Sequence, residues 1–148
     1  MLKSKFYVVM LILGVLALLS GACAKPDSAI TASDLEGTAW ILESYGEPEN
    51  LKDILTDTEI TAEFISSEGT VKGSAGCNSY FGSYEVEGSQ LSLPGPIAVT
   101  EMYCMEPEGV MEQEQQYLEI LQAAESYSTE DRELQINCGD QVLVYIAE

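Results

Sequence analysis

The fold class is decided by RELQINCGDQVLVYI, residues 132–146. Leu134, Ile136 and Cys138 alternate with polar residues, which is the period of a half-buried strand. Gly139 and Asp140 then form a turn signal, and the apolar run that follows predicts a second strand covered on both faces. The stretch therefore predicts an antiparallel β-hairpin.

Shorter strand-like segments fill most of the chain before this hairpin. They alternate apolar and polar residues and are separated by turn residues such as Gly and Pro. The predicted strands cover residues 39–45, 59–65, 70–75, 80–86 and 90–93, with a brief pairing at 97–100. Gly82 relieves the fourth of these strands at a point where a bulge could sit. Strands at this spacing in a chain of 148 residues predict a sandwich or a small barrel.

One segment instead repeats its apolar residues with the period of an α-helix. Residues 108–124 place a mostly apolar stripe at spacings of three and four, and Pro107 suits the first turn. The stripe consists of Val110, Met111, Glu114, Tyr117, Leu118, Leu121 and Ala124. Because most helix stability in proteins comes from packing one face, we expect this stripe to lie on the sheet rather than to bind a cofactor.

The amino-terminal residues have the three regions of a secretory signal peptide, predicted at 1–22. Lysines precede an apolar run at 6–19, which is too short for a comfortable membrane-spanning helix, and small residues follow it. Residues 18–23, LLSGAC, resemble a lipobox, in which Cys23 is lipidated and becomes the first residue of the mature protein. The alternatives are a plain signal peptide cleaved nearby and an uncleaved anchor. All three place the rest of the chain outside the cytoplasm.

The segment after the predicted signal peptide has the composition of a linker. Residues 23–34 are mostly small and polar, contain one proline and show no periodicity, so they predict a flexible tether. One folded domain is therefore expected, at residues 35–148.

The charge of the chain excludes some partners. Without residues 1–22, four basic and 25 acidic side chains remain, a net charge of −21. Nucleic-acid recognition needs cationic side chains, so we expect no nucleic-acid partner. The same charge disfavours electrostatic adsorption to anionic lipid.

Few residues are candidates for catalysis. The chain contains no His, the usual general base, and no motif of serine hydrolases, phosphate-binding loops or zinc proteases. Its cysteines lack zinc-site spacing. Two acidic stretches, at 47–53 and 125–133, lack EF-hand spacing and are interpreted as solvated loops. We therefore expect no enzymatic activity, no metal and no cofactor.

Three segments together resemble a known family. Residues 35–40 are LEGTAW, residues 73–84 are GSAGCNSYFGSY and residues 100–104 are TEMYC. With the helix and the closing hairpin, they are similar to the META domain of HslJ-like heat-shock proteins across residues 35–147. The resemblance implies a small antiparallel β-barrel-like domain with one helix packed on it. It also implies an exported protein or lipoprotein associated with heat shock and envelope stress, with no established enzymatic activity.

Three cysteines remain if Cys23 is lipidated, which permits three different single bridges. Cys138, which departs from the family pattern, lies on the apolar face of its strand, where a buried thiol behaves as a small hydrophobic group. Cys77 and Cys104 each follow a short β segment at a turn-like position, and both lie inside the family-like motifs. We therefore predict a Cys77–Cys104 disulfide in an oxidising compartment, with Cys138 left as a thiol.

Two classes of function stay open. One is a non-catalytic lipoprotein of the cell envelope, attached to the membrane by lipid on Cys23, which acts in envelope stress or integrity through an unknown protein partner. The other is a surface-tethered ligand-binding or inhibitor module for a cationic protein or peptide, which the net charge would attract. A barrel interior filled by side chains favours the first class, and an open apolar cavity favours the second. In either case we expect a monomer.

Overall fold

The computed structural model describes residues 35–148, so the predicted signal peptide, Cys23 and the tether lie outside the described residues. Within 35–148 the chain forms one α-helix, α1 (Val110–Gln122), which is too short to cross a membrane, and eleven β-strands. The strands are β1 (Ala39–Glu47), β2 (Asn50–Asp53), β3 (Thr61–Ile65), β4 (Thr70–Ser74), β5 (Ser79–Ser83), β6 (Glu85–Glu87), β7 (Gln90–Ser92), β8 (Ala98–Val99), β9 (Ser126–Glu130), β10 (Glu133–Cys138) and β11 (Gln141–Ala147).

The strands form one antiparallel sheet that curls on itself. Their order is β6-β7-β9-β10-β11-β1-β3-β4-β5-β8, with β2 paired to the side of β1. Strands β5 and β6 lie near opposite ends of this order, yet only Tyr84 separates them in the chain. The sheet must therefore curl until its two ends approach each other. This confirms the predicted β-barrel-like architecture.

Strand β1 lies at the centre of the sheet and carries a bulge. It pairs with β11, β3 and β2, and its register with β11 shifts between Leu42 and Ser44. Trp40 is buried on this strand, and its indole N–H donates to the carbonyl oxygen of Leu35 at 2.9 Å. The large indole therefore packs in the core with its polar atom satisfied, as a buried Trp requires.

The interior of the curled sheet is filled by aromatic side chains that bond to one another. The hydroxyl of Tyr145 donates to that of Tyr117 at 3.1 Å, and the Tyr117 and Tyr80 hydroxyl oxygens lie 2.7 Å apart. Tyr80 in turn donates to the carbonyl oxygen of Thr61 at 2.9 Å, so Tyr117 is the donor to Tyr80. In the described part of the chain, every buried side-chain nitrogen and oxygen has a hydrogen-bond partner.

Helix α1 packs on the sheet, as predicted, with small differences in its limits and its buried face. It begins at Val110 rather than at residue 108, because Gly109 has a φ of 91°, which lies outside the helical region. Met111 and Leu118, two residues of the predicted stripe, are only half buried. The buried residues of the helix are Val110, Gln113, Glu114, Tyr117, Ile120 and Leu121.

The predicted strand at 80–86 is wrong in one respect, because the structure divides it. The chain turns at Tyr84, so β5 continues one end of the sheet and β6 starts the other. The bulge suggested at Gly82 is also absent, since the pairing of β4 with β5 runs without a shift from Thr70 to Ser74. Gly82 instead leaves room for Ile97, whose Cγ1 would lie 3.4 Å from an added Cβ.

The two acidic stretches interpreted as loops each contain a strand. Strand β2 forms a hairpin with β1, and all four of its residues are exposed. Strand β9 pairs with β10, and Tyr127 is its single buried residue. Neither segment has the alternation of apolar and polar residues on which the sequence assignment depended.

Candidate functional site

Two of the three family-like motifs, residues 73–84 and 100–104, come together at one end of the sheet, beside the first half of α1. The loop between β4 and β5 carries Cys77 and Asn78, and the segment after β8 carries Thr100, Met102 and Cys104. The structure joins Cys77 to Cys104 in a disulfide with a Cα–Cα distance of 6.0 Å, and Cys138 is free and buried. Both cysteine assignments agree with the prediction from sequence.

Asn78 holds the segment after β8 with every polar atom of its side chain. Its Oδ1 accepts from the Thr100 hydroxyl and from the Met102 backbone N–H, each at 2.7 Å. Its Nδ2 donates to the Met102 carbonyl oxygen at 3.0 Å and to Oε1 of Glu114 at 2.8 Å. We call this arrangement of Asn78, Thr100, Met102, Glu114 and the disulfide the Asn78 clamp. Asn78 therefore bonds to residues that lie 22 to 36 positions further along the chain.

Glu114 has a structural part in the clamp that sequence reasoning missed. Its Oε2 accepts from the backbone N–H of Asn78 at 2.7 Å, and its side chain is buried. The periodicity of the sequence predicts Glu114 on the stripe of the helix that lies on the sheet, but it predicts no partner for the carboxylate. The neighbouring Gln113 acts similarly, since its Oε1 accepts from the Leu55 N–H at 2.6 Å and its Nε2 donates to Thr58 at 3.0 Å. The sequence signal that could have predicted these bonds is the presence of two adjacent polar residues, Gln113 and Glu114, in the buried part of the helix.

Two glycines of the motif permit the close approach of backbone on which the clamp depends. A Cβ on Gly73 would lie 2.0 Å from the carbonyl oxygen of Thr61, so no side chain fits there. Gly76 has a φ of 105°, a conformation that glycine adopts without strain. The two glycines therefore give the loop before β5 the room and the backbone freedom that it requires.

The free thiol of Cys138 is expected to be unreactive. Burial, and secondarily the nearby Glu125 carboxylate, raises its pKa from 9.0 to about 12. A thiol with so high a pKa supplies little of the thiolate that nucleophilic chemistry requires. Cys138 lines one side of a cleft of about 530 Å³, together with Tyr45, Lys52, Ile120 and Asp140. Among residues 35–148, no three His, Cys, Asp or Glu side chains are grouped so that they could hold a metal ion.

The outer side of the clamp displays large apolar side chains to solvent. Met102 is 57% exposed, Tyr103 80% and Met105 79%. The backbone that carries them is fixed, because Met102 bonds to Asn78 through both its N–H and its carbonyl and Cys104 is in the disulfide. Exposure of several apolar side chains on a fixed backbone is typical of an interaction surface.

A groove runs from Met102 along α1. Its apolar lining comes from β8 and the residues beside it and from the half-buried residues of the helix, and it encloses about 750 Å³. We call it the Met102 groove. Its apolar residues are Pro96, Ile97, Val99, Met102, Met111 and Leu118, and its polar residues include Glu101, Gln115 and Glu119.

Comparisons with known proteins agree with this architecture. A model of the META domain family matches residues 33–148. A protein from Burkholderia xenovorans, solved by NMR, is similar with 25% identity and a TM-score of 0.65, over 83% of this chain and 96% of that one.

A second similarity concerns the fold alone. The crystal structure of a DUF4847 family protein from Bacteroides vulgatus has 12% identity and a TM-score of 0.55, over 76% of this chain and 93% of that one. A comparison with curated proteins gives no match. The family match covers the curled sheet, the helix and the Asn78 clamp, and on this ground the chain belongs to the META domain family.

Proposed function

We propose that this chain is a non-catalytic exported lipoprotein of the META domain family, attached to the membrane by lipid on Cys23. In this proposal it acts in the envelope stress response or in envelope integrity, and it does so through contacts with other molecules rather than through turnover. Membership of the family and the signal-like residues 1–22 are the first support.

The observation that carries the proposal is that Asn78 of the motif and Glu114 of the helix are engaged in structural bonds. Asn78 uses its side-chain oxygen, its side-chain nitrogen and its backbone N–H within the clamp. Both oxygens of Glu114 accept from Asn78. A general base must be placed to accept a substrate proton, and each oxygen of the buried Glu114 carboxylate instead accepts a hydrogen bond from Asn78 within the clamp. The interior of the sheet is likewise filled by the bonded tyrosines.

The disulfide supports export. Disulfides form and persist in oxidising compartments such as the periplasm and the cell surface, and they are rare in the cytosol. The Cys77–Cys104 bridge joins the loop before β5 to the segment after β8. Its formation is therefore expected only after the chain has left the cytoplasm.

A complementation experiment tests the proposal. A host strain that lacks the gene is grown under heat and under detergent stress, with plasmids that encode the wild type, Cys23→Ser or Cys138→Ala. We expect the deletion to reduce growth under stress, and we expect the wild type and Cys138→Ala to restore it. Cys23→Ser removes the predicted lipid site and should fail at equal expression. Equal rescue by Cys23→Ser, or normal growth of the deletion strain under both stresses, would contradict the proposal.

A second candidate function is a surface-tethered binding or inhibitor module for a cationic protein or peptide. The specific observation that favours it is the Met102 groove, an exposed apolar surface with carboxylates at its border. This candidate is compatible with the first, because an anchored protein without catalytic activity must act by binding.

A further inference from the structure

We propose that the Met102 groove binds a cationic amphipathic peptide segment, one with an apolar face and several Lys or Arg side chains. The proposal rests on the second candidate function and deepens it, since it names both the surface and the chemistry of the partner. It depends on three features of the groove: its apolar lining, its fixed backbone and its charge.

The lining of the Met102 groove can contact the apolar faces of peptides that differ in shape. Met111 and Leu118 are half buried on the outer side of α1, although a fully packed helix face would bury them. Met102 is more than half exposed at the border of the same groove. Methionine side chains are flexible and polarizable, so they adapt to different apolar partners. An amphipathic segment in such a groove is a recurring mode of peptide recognition.

The Asn78 clamp holds the groove ready for binding. Met102 is fixed through its backbone N–H and carbonyl, so its side chain is presented from a backbone that does not need to become ordered. Gln122 fixes the other side, since its Oε1 accepts from the N–H of Ile97 at 3.2 Å. A preorganised surface loses less conformational entropy on binding, which favours affinity.

The charge of the surroundings selects a cationic partner. Residues 73–131, which supply the whole groove, contain eleven acidic side chains and no Lys or Arg. Glu101 and Glu119 line the groove itself. The acidic side chains of residues 73–131 therefore have no basic side chain within the same stretch of sequence to neutralise them. A cationic partner would be steered toward this surface, and an anionic one repelled.

Each of the three basic side chains of residues 35–148 has a partner that does not line the Met102 groove. Lys72 lies 3.6 Å from Glu63 on the outer face of the sheet, and Arg132 donates to the carbonyl oxygen of Ala147. Lys52 donates to Gln116 of α1, and it lines the cleft beside Cys138, which Glu119 also borders. None of the three lines the Met102 groove. A second copy of this chain is a poor occupant, because two domains with 23 acidic and three basic side chains each repel one another.

The binding test uses the chain from Ala24 to Glu148. This part contains every strand and the helix of residues 35–148. The relative from Burkholderia xenovorans is matched over 96% of its own chain, so it folds with little beyond the matched part. The probe is a labelled peptide of Leu and Lys, about 14 residues long, arranged so that four helical turns have one apolar face. A control peptide has the same composition in an order without an apolar face. Fluorescence anisotropy gives the dissociation constant for each.

Met102→Asp is the decisive variant. It removes an exposed apolar side chain but leaves the backbone bonds to Asn78, and it adds a negative charge that by itself attracts a cationic peptide. We expect it to weaken binding by about tenfold or more, because apolar contact is lost. Leu51→Asp is the matched control, since Leu51 is also exposed but lies on β2, away from the groove. It should leave affinity within about twofold. Unchanged thermal unfolding shows that both variants fold.

Charge variants separate local from general attraction. Glu101→Lys with Glu119→Lys should weaken binding more than Glu87→Lys with Glu130→Lys, although both pairs change the net charge equally. Glu87 and Glu130 are exposed and lie outside the groove. Equal effects would show attraction by net charge alone and would overturn the proposal.

Other outcomes also overturn it: no binding of the amphipathic peptide, equal binding of the control peptide, or loss of affinity with Leu51→Asp as great as with Met102→Asp. Met102-dependent binding to phosphatidylcholine vesicles, or Met102-dependent dimerisation, without peptide binding would assign the groove to another occupant. The complementation experiment is independent of this result. Failure of the peptide to bind, with rescue still dependent on Cys23, would reject the groove proposal and leave the anchored lipoprotein intact.

Discussion

The carboxylate of Glu114 accepts two hydrogen bonds from one residue, Asn78, at 2.7 Å from the backbone N–H and 2.8 Å from the side-chain amide. The two residues lie 36 positions apart in the chain. The pair therefore joins the loop before β5 to helix α1, and through Asn78 it also holds the segment after β8. A buried carboxylate is costly unless it is hydrogen bonded, and Asn78 supplies these bonds.

Asn78→Asp should destabilise the domain strongly. The substitution places a second carboxylate beside Glu114 and removes the amide donor, so we expect a loss of about 2–4 kcal/mol in the free energy of unfolding. Asn50→Asp makes the same chemical change on the exposed strand β2 and should stay within about 0.5 kcal/mol of the wild type. Urea denaturation measures both. Similar small effects would show that the clamp contributes little to stability.

Reduction of the disulfide should lower the melting temperature. The Cys77–Cys104 bridge spans a sequence separation of 27, for which the chain-entropy description gives about 3–4 kcal/mol. A Cys77→Ala, Cys104→Ala double variant should melt at a lower temperature and should not respond to reductant. Peptide mapping without reductant identifies the bridge directly. A Cys104–Cys138 peptide, or a wild type whose melting ignores reductant, is the contrary result.

Gly73→Ala should be far more damaging than the same change at another glycine. An added Cβ would meet the Thr61 carbonyl oxygen at 2.0 Å, so β3 and β4 must move apart, at a cost of at least about 2–3 kcal/mol. Gly95→Ala is the control, because nothing lies within 4 Å of its added Cβ. Thermal unfolding compares the two. Equal melting temperatures would show that the sheet tolerates the wider spacing.

Alkaline pH should destabilise the domain through its buried thiol and its buried tyrosine hydroxyls. Burial raises the pKa of Cys138 to about 12 and raises those of Tyr80, Tyr117 and Tyr145 well above 10.0. A raised folded-state pKa stabilises the fold below the unfolded pKa, and this stability is lost as pH rises toward the folded value.

As the pH rises, Cys138 is the first of these groups that should reduce the stability of the domain. Unfolded Cys138 ionises near its ordinary value of 9.0, so the melting temperature should be flat near neutral pH and fall above it. Between about pH 8 and pH 10, Cys138→Ala should lose less stability than the wild type, although it starts lower because of the cavity. The test is to measure the melting temperatures of the wild type and of Cys138→Ala across this pH range. A wild-type curve parallel to that of Cys138→Ala would contradict the contribution of the thiol.

Local patterns in the sequence predicted those parts of the fold whose residues alternate strongly. Residues 132–146 form β10 and β11 with a two-residue turn at Gly139 and Asp140, as the alternation and turn signals indicate. The place of the helix on the sheet is also predicted by a local signal, the stripe of mostly apolar residues at spacings of three and four.

Other parts depend on contacts that no local pattern records. Strand β2 has no buried residue, so its pairing with β1 leaves no apolar period to detect. The turn at Tyr84 follows from the closure of the whole sheet, which joins β5 to β6. The partners of Asn78 and Gln113 lie 22 to 58 residues away, and they meet only when the sheet has curled and α1 has docked.

Mass spectrometry of the membrane-bound protein from its host tests the central claim, that of an exported lipoprotein, most directly. The account predicts a mature amino terminus at Cys23 that carries acyl chains, and two or more chains would give stable attachment where one does not. The same spectra should contain the Cys77–Cys104 peptide as a disulfide. A protein that is released into the medium with an unmodified Cys23, or that retains residues 1–22, would contradict the account.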